Sequence, residues 1–170
     1  MSDLFDDQEL LREVLPRLNR FLAVRDRAES EIRDYMRRKR LCSDGNASRV
    51  IEFLRDEGLL DDLRFGRRRL DFRREQGYGP RYIRRELQNF RVPSEIIQDL
   101  MEEQEGEEEQ ELYIDAAVEL LEKKLPSVMQ LEDGEERLRN RLYGRGYSGS
   151  QMDAAISRLR ELYPHWGGRV

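Results

Sequence analysis

Three short stretches of this 170-residue chain carry one pattern: EIRDYM at 31–36, YIRREL at 82–87 and RLRNRL at 137–142. Each holds an apolar residue, an arginine directly after it, and a second apolar residue four positions after the first. The anchors are Ile32/Met36, Ile83/Leu87 and Leu138/Leu142, and the arginines are Arg33, Arg84 and Arg139. Residues four apart lie on one helix face, so each stretch predicts a helix with a narrow apolar stripe. The stretches recur at offsets of 51 and 55 residues, too long for tetratricopeptide or ankyrin repeats.

A second amphipathic run follows each stretch, at 50–54, 95–100 and 152–159, and a longer helical stretch precedes it, around 17–27, 61–76 and 109–125. The chain therefore reads as all-α, with three tandem three-helix repeats in an elongated, curved array. Such units cover their apolar faces by stacking on neighbours. The expected organisation is an acidic extension at 1–16, repeats at 17–60 and 61–101, an acidic linker or helix start at 102–111, and a third repeat at 109–163.

The stretch GLLDDLRFGRRRL at 58–70 tests whether a paired carboxylate marks chemistry. Gly58 follows a helical run and suits the left-handed stop of that helix. Asp61 is placed to accept from free N–H groups of the next helix, and Asp62 adds charge at the positive end of its dipole. A catalytic pair would need a nucleophile, a histidine or a third acid nearby, and none stands there in sequence. That helix should carry two apolar edges, one of Leu63, Gly66 and Leu70, the other of Phe65 and Phe72, as if neighbours packed on both sides. Gly66 would permit close approach of one of them. After the break QGYGP, Ile83, Leu87 and Phe90 form the core stripe of the next helix, while Arg81, Arg84, Arg85 and Gln88 spread over its other side.

Charge is strongly segregated. Residues 1–16 carry a net of −4, residues 17–91 a net of +8, residues 92–136 a net of −14 and residues 137–170 a net of +5. Of 31 basic residues, 28 are arginine, whose planar fork holds carboxylates and phosphates in a way lysine cannot. Arg33, Arg37 and Arg40 stand at positions equivalent to Arg84, Gln88 and Arg91, so a basic ridge should recur along the array. Arg33, Arg37, Arg68, Arg81, Arg84, Arg85 and Arg139 are the expected contacts to a partner protein or to DNA phosphate. Gly58, Asp61, Asp62, Phe65, Gly66, Leu70, Ile83 and Leu87 are expected to be structural.

The single Cys42 allows no internal disulfide and the single His165 lies near the C-terminus. No zinc spacing, phosphate loop or nucleophile elbow is evident, so no enzyme, metal or cofactor is expected. No apolar run reaches the roughly 18 residues of a membrane span, and the acidic N-terminus is no secretory signal. A cytoplasmic monomer is the expectation.

With these residues in view, the chain resembles the RecX family of bacterial recombination regulators. The resemblance rests on SEIRDYMRRK (30–39), VIEFLRDEGLLDDLRFGRRRLDFRR (50–74) and GYGPRYIRRELQNFRVPSEIIQDL (77–100). AVELLEKK (117–124) and ERLRNRLYGRGYSGSQMDAAISRL (136–159) match more loosely. It implies three three-helix bundles that bind the RecA recombinase, lodge in the groove of its filament on DNA and restrain filament growth, without a catalytic centre. Weak, sequence-independent DNA contact is also compatible. Gly66 stands where the family usually has alanine, and Lys39-Arg40 where Lys-Gly is common. The acidic segments at 1–16 and 102–111 lie outside the pattern.

A helix-turn-helix DNA reader is the main rival. It would need basic or amide side chains on the last helix of a unit, and those helices here are acidic or sparsely basic. Single strands could still be met by Tyr78, Tyr82 and nearby arginines. A general helical scaffold without RecA specificity is a further alternative.

Overall fold

A computed structural model of the chain describes residues 2–166, and within them every regular element is helical. The helices are α1 (Ser2–Leu22), α2 (Glu29–Lys39), α3 (Asp44–Asp56), α4 (Asp62–Glu75), α5 (Pro80–Asn89), α6 (Ser94–Glu102), α7 (Glu107–Glu122), α8 (Gly134–Gly144) and α9 (Gly149–Leu162). A short 3₁₀ turn, Leu125–Ser127, follows α7. The anchors of the repeat are all in the interior: Ile32, Ile83, Leu87, Leu138 and Leu142 are fully buried and Met36 nearly so.

The chain divides into two compact units, Met1–Arg67 with Leu87–Ile96, and Arg68–Glu86 with Ile97–Val170, so the division falls inside α4, α5 and α6. In the first unit, Val14 and Leu18 of α1, Ile32 and Met36 of α2, and Val50, Ile51 and Leu54 of α3 form one apolar cluster. Burying each such side chain stabilises by roughly 1.5–3 kcal/mol. The second unit packs α7 against α9 and α8 against α9. Tyr113, Leu121, Leu138, Leu142, Tyr147 and Leu159 are buried there.

Two expectations need correction. The acidic segment 1–16 is helical from Ser2, Met1 lying outside the described residues, and its helix ends at Leu22 instead of running over 17–27. Leu10, Leu11, Val14, Leu15 and Leu18 make a helical stripe on the first unit's core. Phe72 does not continue the edge begun by Phe65. It is 47% exposed, with the Arg73 guanidinium 5.7 Å from its ring, whereas Phe65 is buried edge-on to Phe90 at 5.2 Å. Gly66 and Leu70 are buried.

Local chemistry sets most helix ends. Ser43 accepts from the Asn46 N–H at the start of α3. Ser148 and Gln151 form a reciprocal capping box at α9. Gly58 and Gly77 take φ of +66° and +73° just beyond α3 and α4, where a left-handed residue turns the chain out of a helix. Three residues occupy the equivalent left-handed position after α2, α5 and α8: Arg40 (φ 50°), Arg91 (φ 52°) and Gly146 (φ 86°).

Candidate partner-binding face

Asp61 and Asp62 part company in the fold. Asp61 Oδ1 accepts from the Arg64 N–H at 2.9 Å and caps α4. Asp62 Oδ1 accepts from the Glu29 N–H at 2.9 Å, so it caps α2, a helix that begins 33 residues earlier. Burial pushes the Asp62 carboxyl up from its ordinary range, opposed by that hydrogen bond. Among the described residues no group of three or more His, Cys, Asp or Glu could hold a metal ion.

The expected contact arginines fall into two classes. In the first repeat Arg33 Nε donates to Glu29 Oε1 at 2.6 Å and Arg33 Nη1 to Ser48 Oγ at 3.2 Å, while Arg55 also pairs with Glu29. The third repeat copies this arrangement. Arg139 Nε donates to Glu135 Oε1 at 3.1 Å and Arg139 Nη1 to Asp153 Oδ1 at 2.7 Å, and Arg160 also pairs with Glu135. Both arginines are thus held by a glutamate one turn earlier and by a polar residue on the third helix of the same repeat. Arg37 faces Asp34 at 3.6 Å. Arg68 is exposed.

The middle repeat breaks the arrangement. The position of Glu29 and Glu135 is taken by Pro80, that of Arg55 and Arg160 by Glu105, and that of Ser48 and Asp153 by Gln98. Proline suits the first turn of α5 but removes the carboxylate. Arg81, Arg84 and Arg85 are exposed on α5, opposite the buried Ile83 and Leu87, and among the described residues their side chains meet no ion-pair or hydrogen-bond partner. A basic face without carboxylates to neutralise it is available to an external anion.

The inner flank of α5 is tied down instead. Glu86 accepts from Arg69 at 2.6 Å and from Arg73 at 2.6 and 2.8 Å. Burial alone would raise the Glu86 carboxyl, but these charged hydrogen bonds outweigh it and hold the group below its ordinary value. The ends of α5 are anchored too. The Ser30 hydroxyl donates to the Phe90 carbonyl, and Arg91 faces Asp34 at 3.9 Å. At the other end the Arg81 N–H donates to the Gly146 carbonyl at 3.1 Å. Positions 30 and 81 are equivalent, so the start of one second helix docks on the end of the next in each unit.

With this geometry in hand, the chain can be set beside known proteins. A family described as RecX, second three-helix domain, matches residues 61–101, which hold α4, α5 and α6. Regulatory protein RecX of Escherichia coli O7:K1 (strain IAI39 / ExPEC) is 34% identical over 99 residues, covering 53% of this chain and 60% of that protein. These matches support a likeness to the RecX family, centred on the three-helix unit at 61–101. Regulatory protein RecX of Escherichia coli K12 / DH10B matches with the same identity and coverage. The chain thus spans 60% of the length of these curated relatives. The crystal structure of RecX from Lactobacillus salivarius superposes with a TM-score of 0.76 at 21% identity, covering 92% of this chain and 98% of that one. A second crystal structure, of regulatory protein RecX, gives 0.77 at 17% identity, covering 92% and 77%. At these identities the two structures speak for the shared all-helical RecX fold.

The sequence alone singled out Arg81, Arg84 and Arg85 but treated Arg33 and Arg139 as their equals. Glu29 and Glu135, each four residues before its arginine, were the available signal that the outer two are internally paired. The opposing Ser48, Asp153, Arg55 and Arg160 come from another helix and leave no such local mark.

Proposed function

We propose that this protein binds the RecA recombinase and its filament on DNA and restrains recombinase activity, with α5 of the middle repeat as the principal contact. The reading is supported by one observation above others: the repeat that matches the RecX domain is the one whose arginine face has lost its internal carboxylates. Arg81, Arg84 and Arg85 would meet acidic side chains of the recombinase or phosphates of the bound strand. Arg33, Arg37, Arg68 and Arg139 would be secondary contacts. The organisation as repeats at 17–60, 61–101 and 109–163 around an acidic segment at 102–111 belongs to the same proposal, as do a monomeric state and a cytoplasmic setting. Contact alone accounts for this role, and no chemical step is assigned to the chain.

The test is RecA-driven ATP hydrolysis on single-stranded DNA. Inhibition is expected at substoichiometric amounts, and the triple variant Arg81→Glu, Arg84→Glu, Arg85→Glu should lose it while keeping a helical circular dichroism spectrum. Absence of any effect of the wild-type protein at equimolar RecA would remove the reading.

A further inference from the structure

The second unit contains a basic cleft that the α5 face does not include. It has a volume of about 620 Å³ and is lined by Tyr78, Tyr82, Lys124, Arg137, Arg141 and Arg145, with Ser127 and Asn140 adding polar atoms. Four cations contribute to its wall and no carboxylate does. Arg137 is paired with Asp133 at 2.8 Å, outside the lining. Lys124 and Arg141 are exposed and meet no ion-pair partner among the described residues.

The aromatic side of the cleft is built, not incidental. Tyr78 and Tyr82 are stacked with centroids 4.1 Å apart and planes 29° apart, and the Arg145 guanidinium lies 4.1 Å from the Tyr78 centroid. Arg145 Nη1 donates to the Gln76 carbonyl at 3.0 Å, which fixes its plane over the ring. The column is assembled by the backbone. Gly79 N–H donates to the Arg145 carbonyl, and a Cβ at Gly146 would lie 2.4 Å from the Tyr82 nitrogen. Only glycine at these two positions lets the start of α5 lie against the end of α8, which carries Arg137 and Arg141.

A tyrosine–guanidinium stack beside unneutralised cations matches the chemistry of a nucleotide. The base adds a face to the stack, and the phosphate is met by Lys124 and Arg141. We propose that this cleft is a binding site for a nucleotide unit, one aromatic base with its phosphate, held by the Tyr78–Tyr82–Arg145 column and by Lys124 and Arg141. The same unit occurs in a single strand and in a free nucleoside triphosphate. The proposal does not depend on the recombinase reading, and its test contains no recombinase.

The experiment measures fluorescence anisotropy of labelled (dT)10 with the full-length protein at several salt concentrations, with unlabelled (dT)10 and dTTP as competitors. Saturable binding is expected, weakened about tenfold or more by Arg141→Glu and by Lys124→Glu, with a shallower dependence on salt. Arg84→Glu, on the α5 face, should leave it within twofold of wild type. Circular dichroism controls for folding, and both substituted side chains are exposed. Displacement by dTTP assigns the site to free nucleotides, and displacement by (dT)10 alone assigns it to a strand. The proposal is overturned if wild type binds neither ligand, if Arg141→Glu and Lys124→Glu bind as wild type does, or if Arg84→Glu weakens binding equally.

Discussion

The N–H of Gly79 donates to the carbonyl of Arg145 at 2.8 Å, joining backbones 66 residues apart in the sequence. One of the free donors at the start of α5 is thereby satisfied by a carbonyl just past the end of α8, in place of a side-chain cap. A Cβ on Gly79 would stand 2.6 Å from the Gly146 carbonyl carbon and oxygen and from the Tyr147 nitrogen.

That crowding is backbone against backbone, so Gly79→Ala cannot be absorbed by a rotamer change. A loss of about 1–3 kcal/mol is expected on urea unfolding, the usual scale for overpacking. Gly144 meets nothing within 4 Å, and Gly144→Ala in α8 should be neutral or stabilising by up to about 1 kcal/mol. Equal effects of the two substitutions would refute the close crossing.

Arg40 is held left-handed where the third repeat has Gly146. An L-residue there costs about 1–2 kcal/mol that glycine largely avoids, offset in part by glycine's greater freedom in the unfolded chain. Arg40→Gly should therefore raise stability by about 0.5–1 kcal/mol, read as an upward shift in Tm. A lowered Tm would argue against the left-handed geometry.

Glu86 supplies a carboxylate to both Arg69 and Arg73, and Glu86→Gln should cost about 1–3 kcal/mol at neutral pH. The sign of its pH dependence follows from its depressed folded-state pKa. The stabilisation is fully present above the unfolded-state value, about 4.3, and is lost as pH falls through the lower folded-state value. Unfolding measured between about pH 6 and pH 3 should show a shallower acid-side decline in Glu86→Gln. Parallel curves would mean that Glu86 titrates as it does when unfolded.

Asp62 behaves in the opposite sense, because burial raises its carboxyl while the Glu29 N–H needs only an acceptor. Its ionised form costs stability above the raised folded-state pKa, and that cost is relieved as pH falls through it. Asp62→Asn keeps an acceptor oxygen without the charge, so it should stay close to wild type at pH 7. Asp62→Ala should lose about 0.5–2 kcal/mol through the uncapped α2. If thermal melts rank asparagine no better than alanine, the cap is not what Asp62 provides.

The contrast between free and paired arginines can be measured without a partner. Arg139→Glu would set three carboxylates together with Glu135 and Asp153 and should destabilise by about 1 kcal/mol or more. Arg84→Glu, with no carboxylate partner among the described residues, should change stability by less than about 0.5 kcal/mol. A large loss for Arg84→Glu would show that α5 uses this arginine to hold its own fold.

Much of the architecture was legible in the sequence because it depends on residues three or four apart. The anchors Ile32/Met36, Ile83/Leu87 and Leu138/Leu142 specify a buried stripe whatever they pack on. Gly58 and Asp61 end and begin helices through bonds to their immediate neighbours. The first helix was misjudged because its acidic side chains lowered the apparent hydrophobicity of a segment whose apolar stripe was nonetheless continuous. Phe72 was misjudged because a helical wheel gives its direction but not whether anything covers it.

The sequence by itself thus determined three helical repeats and an arginine-rich second helix in each, since helix periodicity and capping are settled within a turn or two of chain. Tertiary structure alone decided that Asp62 serves α2, that Glu29 and Glu135 each gather a second arginine from the third helix of their repeat, and that Gly79 meets Gly146. Those contacts join residues 25 to 67 positions apart. Which helix faces meet is set by the burial of whole stripes, and no short window of sequence contains that information.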